Sequence, residues 1–186
     1  MMRRAVGVWA WWLMAGCAVG AQSPTDGRVE GHQYVNSYFH VAYTWPATLK
    51  PSNVSKLVLP PKSPYQNEFL LFSARQGDEA YGVVMVAEKL HAQTPHGSGI
   101  RDGADLLDRI IKGFKPEEEF VLLSRRHFVS PEGLEMDEFD YTTGGEFNSG
   151  IAAKVGEFLI LFKCNARSKA ELEEMDRSVV ALHVVK

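Results

Sequence analysis

Hydrophobic residues alternate with polar or small ones near the start of the chain, which indicates a strand. From Phe39 to Trp45 every second residue is large and apolar, and Pro46 ends the pattern. Five of the nine prolines lie in residues 46–64. Because proline interrupts regular structure, we expect an irregular loop there.

Further strands are predicted from apolar, β-prone runs along the rest of the chain. Two runs that flank a polar, glycine-containing segment predict a hairpin. Later runs predict two neighbouring strands and then a second hairpin that turns at Gly156. The predicted strands are 69–74, 81–87, 120–129, 134–142, 150–153, 158–164 and a short final one at 183–185.

Two segments have helical spacing. Asp102 is a candidate N-cap for the first, whose apolar residues recur at the spacing of one helix face: Leu107, Ile110, Ile111 and Phe114. The second begins with Ser168 and Glu171, which match a capping box, and continues with Leu172, Met175 and Val179. Strands with one helix midway and another at the end predict an α+β fold with a largely antiparallel β-sheet flanked by helices.

Residues 1–21 have the layout of a secretory signal peptide. Arg3 and Arg4 precede an uncharged, tryptophan-rich stretch that is too short to cross a bilayer comfortably, and small residues follow. We therefore expect an exported protein, periplasmic or extracellular, with a polar linker at 22–30 and a single domain at 31–186.

Two processing sites compete in this segment. Cleavage after Ala21 would leave Gln22 as the first residue, whereas Met14–Cys17 is similar to a bacterial lipobox. In the second case Cys17 would carry a lipid, and the protein would contact the membrane only through that anchor. Both alternatives remain open from the sequence.

Charge argues against nucleic acid as a partner. Removing residues 1–21 takes away two arginines and no acid, so the formal net charge changes from −3 to −5. A negative domain without a basic stretch gains nothing from a phosphate backbone.

The chain resembles a known family in three places. These are the Tyr34-x-Asn36-x-x-Phe39-x-x-x-Tyr43-x-x-Pro46 block, the strand–helix–strand middle, and the Ala166-Arg167-Ser168 step into a capped helix. Together they are similar to the PsbP/Mog1-like α/β/α sandwich of photosystem extrinsic proteins, a Ran-binding import factor and bacterial envelope lipoproteins. The resemblance implies that fold over about residues 31–185 and no catalytic centre. His40 departs from it, since secreted members often have Gly there.

No motif predicts a catalytic, cofactor or metal site. His91 and His96 are close enough in sequence to share an ion, but no third ligand follows at a fixed spacing. The acids of 132–140 lack the order of a calcium loop, so we interpret them as alternating on an exposed strand face. Cys164 ends an apolar run and is interpreted as a buried thiol rather than a nucleophile.

We therefore expect a non-enzymatic, exported domain that binds a protein or envelope partner and needs no cofactor. Trp45 and the proline-rich loop after it are the candidate partner surface, and the alternative is that Trp45 closes the core. A small periplasmic hydrolase or a metal-binding protein is the other hypothesis. The hydrolase hypothesis predicts a cleft in which a histidine such as His91, His96 or His127 contacts a carboxylate. Such a pair need not be visible in the sequence, because catalytic residues that are distant along the chain come together only in the folded protein.

Overall fold

The computed structural model describes residues 23–52, 68–77, 81–90 and 99–185. The predicted signal peptide with Cys17, the histidines His91 and His96, and most of the proline-rich loop lie outside these ranges. No helix in the described ranges is long and apolar enough to cross a membrane.

The chain folds into eleven strands and two α-helices within the described ranges. In chain order the strands are β1 (Gly27–Glu30), β2 (Gln33–Asn36), β3 (Val41–Tyr43), β4 (Lys50–Pro51), β5 (Glu68–Arg75), β6 (Gly82–Lys89), β7 (Val121–Val129), β8 (Glu135–Thr143), β9 (Glu146–Val155), β10 (Phe158–Ala166) and β11 (His183–Val184). The helices are α1 (Gly103–Gly113) and α2 (Lys169–Val180).

Seven strands form one large antiparallel sheet in the order β4-β5-β6-β10-β9-β8-β7. The second sheet, in the order β1-β2-β3-β11, has four short antiparallel strands. The fold class is thus α+β with antiparallel sheets, as the sequence predicts. Both predicted hairpins are present, β5 with β6 and β9 with β10, and Gly156 turns the second with φ +57°.

Each helix begins where the sequence predicts. Asp102 caps α1 by accepting a 2.8 Å hydrogen bond from the backbone N–H of Asp105. Ser168 caps α2 by accepting a 3.3 Å hydrogen bond from the N–H of Glu171. The Glu171 carboxylate accepts a hydrogen bond from the N–H of Arg167, one residue before the cap, so the capping box takes a shifted form.

The large sheet separates two apolar cores. On one face α1 places Leu106 and Leu107 against Phe139, Leu159 and Leu161. On the opposite face α2 and the small sheet cover a larger core, whose fully buried members include Tyr43, Met85, Met136, Ile151, Ile160 and Phe162. Alternate residues of β10 thus face different cores, which explains the continuous apolar run in its sequence.

The structure differs from the sequence prediction near the start of the domain. Residues 27–30, predicted as part of a linker, form β1 and pair with β2 through a turn at Gly31, whose φ is +60°. The strand predicted around Phe39 is shorter, because His40 has a φ of +52° and breaks the extended conformation before β3 begins. His40 therefore holds the left-handed conformation that favours glycine.

Candidate functional site

Strand β7 forms one border of the large sheet, and no described strand lies beyond it. Eight of its nine residues are exposed, and Phe128 is half-buried. The exposed fractions of its large apolar side chains are 54% for Val121, 44% for Leu122, 51% for Leu123 and 62% for Val129. We call these nine residues the β7 edge. Its open backbone and bare apolar side chains are the features of a strand that lacks a partner.

The two arginines in the middle of the β7 edge are neutralised by carboxylates of the same chain. Arg125 donates a 2.5 Å hydrogen bond to Asp108 of α1 and a 3.1 Å one to the carbonyl of Ala104. On the other face Arg126 donates two hydrogen bonds, of 3.0 and 2.8 Å, to the carboxylate of Glu138. The positive charges of Arg125 and Arg126 are thus largely compensated within the chain.

Three carboxyl groups meet under α2 and form a group that we call the carboxyl cluster: Glu138, Asp140 and Asp176. One oxygen from each lies within 4.8 Å of the others, the closest such acidic grouping in the described ranges. Ser149 donates a 2.5 Å hydrogen bond to Asp176, and Ser124 donates a 2.7 Å one to Asp140. The cluster lines a cleft of about 680 Å³ together with Arg126, Lys169 and Arg177.

Burial changes the protonation of this cluster. Desolvation, together with the neighbouring Asp140 and Glu138 carboxylates, raises the pKa of Asp176 to about 7, against the hydrogen bond from Ser149 and the charge of Arg126. Desolvation also raises the pKa of Glu138, although Arg126 opposes the shift. The guanidinium of Arg126 and partial protonation of Asp176 near neutral pH both reduce the negative charge of the cluster.

Besides the carboxyl cluster, a pair of carboxyl groups lies on the opposite face of the sheet. Glu68 and Glu88 are direct partners across β5 and β6, and Arg109 of α1 lies 3.6 Å from Glu88. Burial and the charge of Glu68 raise the pKa of Glu88 to about 7, against the attraction of Arg109. These groups line a cleft of about 350 Å³ beside the end of α1.

A histidine–carboxylate pair lies on the α1 side of the β7 edge. Nδ1 of His127 is 3.1 Å from Oδ1 of Asp137, in a cleft of about 360 Å³. The remaining lining residues include Asp102, Glu135 and Lys154 but no hydroxyl or thiol side chain. The histidine is 61% exposed, so the fold does not shield this pair from water. This is the arrangement that the hydrolase hypothesis predicts, and none of the described residues that line the cleft offers a hydroxyl or thiol nucleophile.

Trp45 is not available as a partner surface. Its side chain is 3% exposed and stacks on Phe72 with 4.9 Å between ring centroids, while its carbonyl lies 2.7 Å from Nε2 of His32. Hydrophobic burial in the larger core explains this position, so the alternative interpretation of Trp45 agrees with the structure. Cys164 is 2% exposed, and burial raises the pKa of its thiol far above the usual range. It is the buried thiol that the sequence predicts.

Sequence reasoning missed the carboxyl cluster. It placed the acids of 132–140 on an exposed strand face, which is wrong for Glu138, because Glu138 is 2% exposed and faces α2. Glu135 and Asp137 lie on the opposite face of the strand, on the α1 side. A usable signal was present in α2, where Asp176 follows Leu172 by four residues and therefore shares its buried face. Arg126 lies directly opposite Glu138 because of the way β7 pairs with β8, and this pairing cannot be predicted from the sequence alone.

The fold that surrounds these groups is an α+β sandwich with helices on the faces of antiparallel sheets. No protein-family model and no curated protein matches the sequence. Known structures do match: cyanobacterial PsbP (CyanoP) from Synechocystis sp. PCC 6803, solved in solution, gives a TM-score of 0.55 at 12% sequence identity. The match covers 85% of this chain and 98% of that one. The chain therefore has a PsbP-like fold, as its sequence resemblance predicts.

Proposed function

We propose that this chain is an exported, non-catalytic domain that binds a protein partner, with the β7 edge as its contact surface. The observation that carries the proposal is the combination of a nine-residue border strand with exposed apolar side chains such as Leu123 and Val129. An extended segment added to a free strand gains main-chain hydrogen bonds and covers apolar side chains at the same time.

The shape of the neighbouring elements supports this surface. Helix α2 packs mainly on β9 and β10 and α1 mainly on β8 and β9. Arg125 connects the β7 edge to α1, but eight of the nine residues of the edge stay exposed. The other long apolar strands, such as β10, are buried on both faces. A partner segment would therefore meet bare backbone and apolar side chains at β7.

Export is part of the same proposal and rests on residues 1–21. We expect the mature protein to begin at Gln22, or at a lipidated Cys17. Intact-mass measurement of the protein recovered from its producing cell distinguishes these forms. A mass that retains residues 1–16 would contradict export.

The contact surface is tested by ultraviolet crosslinking from a photoreactive amino acid placed at Leu123. Val29 is the matched control, because it is an exposed residue on the border strand of the small sheet, 49% exposed against 51% for Leu123. We expect a discrete protein adduct from position 123 and none from position 29. Equal adducts from both positions, or none from either, would count against the β7 edge.

A second candidate function is a hydrolase that uses the pair His127 and Asp137. A carboxylate that orients a histidine is the arrangement of a general base, which could activate a water molecule in the adjoining cleft. Hydrolysis of simple nitrophenyl esters by the protein and by His127→Asn tests it. His183→Asn is the control, because His183 forms a similar exposed pair with Glu132, at 3.2 Å. Our leading proposal expects no rate above buffer for any of the three proteins, whereas a rate lost only in His127→Asn would favour the hydrolase.

A further inference from the structure

We infer that the partner of the β7 edge is a second copy of this chain, with the two β7 strands paired antiparallel so that two large sheets become continuous. The inference rests on the proposed function in one respect, since it requires the β7 edge to be the contact surface. It goes further by naming the occupant.

The order of side chains along β7 is the first argument. Apolar residues occupy both ends of the strand, Val121 to Leu123 at one end and Phe128 with Val129 at the other, and polar residues 124–127 lie between them. Antiparallel pairing of two such strands brings the first end of each copy beside the second end of the other. Apolar residues of the two copies then lie near each other at both ends, so the order along the strand is self-complementary, as a two-fold interface requires.

The charges in the middle of the strand are the second argument. Two copies would bring two pairs of arginines together, which costs energy if the guanidinium groups are free. Here each guanidinium is already bound to a carboxylate of its own chain, Arg125 to Asp108 and Arg126 to Glu138. Asp108 is 48% exposed and can also face the arginine of the other copy. The centre of the pair would therefore bring together compensated ion pairs and not free guanidinium groups.

The regularity of the strand is the third argument. A β-bulge interrupts the register of β7 with β8 between Leu122 and Ser124. From Ser124 to Val129 the pairing with β8 continues without a break, down to Val129 opposite Glu135. A regular stretch of this kind presents evenly spaced backbone groups on its outer side. Because the bulge is confined to the 121–123 end and both arginines are paired within the chain, the outer side of residues 124–129 stays open for pairing.

Self-pairing also accounts for the open backbone at this border of the sheet. Nothing in the described part of the chain covers the outer backbone or the apolar side chains of β7, and the same edge exists on every copy. One antiparallel contact satisfies the open backbone of both copies and shields part of the apolar side chains from the side, without any further element. A foreign segment would have to carry the same apolar–polar–apolar order to fit as well.

Sedimentation velocity of the mature protein, over about a hundredfold range of concentration, tests the inference. We expect the wild-type chain to sediment as a dimer that dissociates on dilution. Val129→Glu places an unpaired charge in the contact and should raise the dimer dissociation constant by about tenfold or more. Val29→Glu is the matched control on the small sheet and should leave the dimer unchanged. Both substitutions are at exposed sites, and circular dichroism confirms that each variant folds.

Three outcomes would overturn the inference. They are a wild-type chain that is monomeric at every concentration, a dimer that Val129→Glu does not weaken, and a dimer that Val29→Glu weakens equally. A monomeric chain that still forms an adduct with a different protein from position 123 would refute the self-pairing and leave the proposed function standing. A monomeric chain without any adduct would refute both.

Discussion

The hydroxyl of Ser149 donates a 2.5 Å hydrogen bond to the carboxyl group of Asp176, and this bond connects the middle of β9 to the inner face of α2. Ser149 is 1% exposed and Asp176 is 8% exposed, so water contributes little to the solvation of either group. The carboxyl group of Asp176 is held under the helix close to Glu138 and Asp140. The stability of the packing between α2 and β9 should therefore depend on the protonation of this group.

Stability should fall as pH rises through neutrality. The pKa of Asp176 is raised from 3.8 to about 7, and that of Glu88 from 4.5 to about 7, mainly by burial. The folded state therefore binds more protons than the unfolded state between these values, and the free energy of unfolding decreases from about pH 4 to about pH 7. Urea unfolding at a series of pH values measures this slope.

Asp176→Asn should remove the contribution of this group. The amide carries no charge, so we expect the variant to be more stable than the wild type by roughly 1–3 kcal/mol at pH 8 and to show a smaller slope between pH 4 and 7. Glu173→Gln is the control on the same helix, because Glu173 is 54% exposed and should change stability little. A wild-type stability that rises from pH 4 to 7 would contradict the interpretation.

The thiol of Cys164 should be unreactive in the folded protein. It is 2% exposed, and burial, reinforced by the nearby Asp176, raises its pKa so that almost no thiolate forms near neutral pH. We expect no reaction with an aromatic disulfide reagent until denaturant is added, and then one thiol per mature chain. A Thr25→Cys variant supplies an exposed thiol for comparison and should react at once. Fast labelling of the wild type would show that Cys164 is accessible.

His40→Gly should stabilise the domain. His40 is exposed and adopts φ +52°, while its carbonyl accepts a 2.8 Å hydrogen bond from the N–H of Val185. Glycine takes this conformation without steric cost and retains the carbonyl, so we expect a gain of roughly 0.5–1 kcal/mol in the free energy of unfolding. His40→Ala is the control and should not be more stable than the wild type. Equal stabilisation by both variants would attribute the effect to loss of the imidazole instead.

Gly150→Ala should destabilise the domain. A Cβ atom at this position of β9 would lie 2.3 Å from the ring of Phe139, which is 1% exposed and packed under α1. The ring cannot move without disturbing that core, so we expect a loss of roughly 1–3 kcal/mol. Gly113→Ala is the control, because a Cβ atom there meets nothing within 4 Å and alanine favours the helix. Thermal unfolding of the two variants should shift in opposite directions.

Local patterns predicted most of the fold, because hydrophobic periodicity and capping residues act over a few neighbouring positions. The capping residues Asp102 and Ser168 correctly predicted where both helices begin. The apolar run that ends at Cys164 correctly predicted a buried strand. The candidate site depends on strand order, which no local pattern contains. Val121 to Leu123 have the composition of a buried strand, and only their place at the border of the sheet exposes them.

Strand β10 contributes side chains to both apolar cores, which affects how the domain unfolds. Leu159 and Leu161 belong to the core under α1, while Ile160 and Phe162 belong to the core under α2. Because one strand serves both layers, neither helix can lose its support without loosening the strand that supports the other. The domain should therefore open as one cooperative unit, and the slowest amide hydrogen exchange should be found along β10.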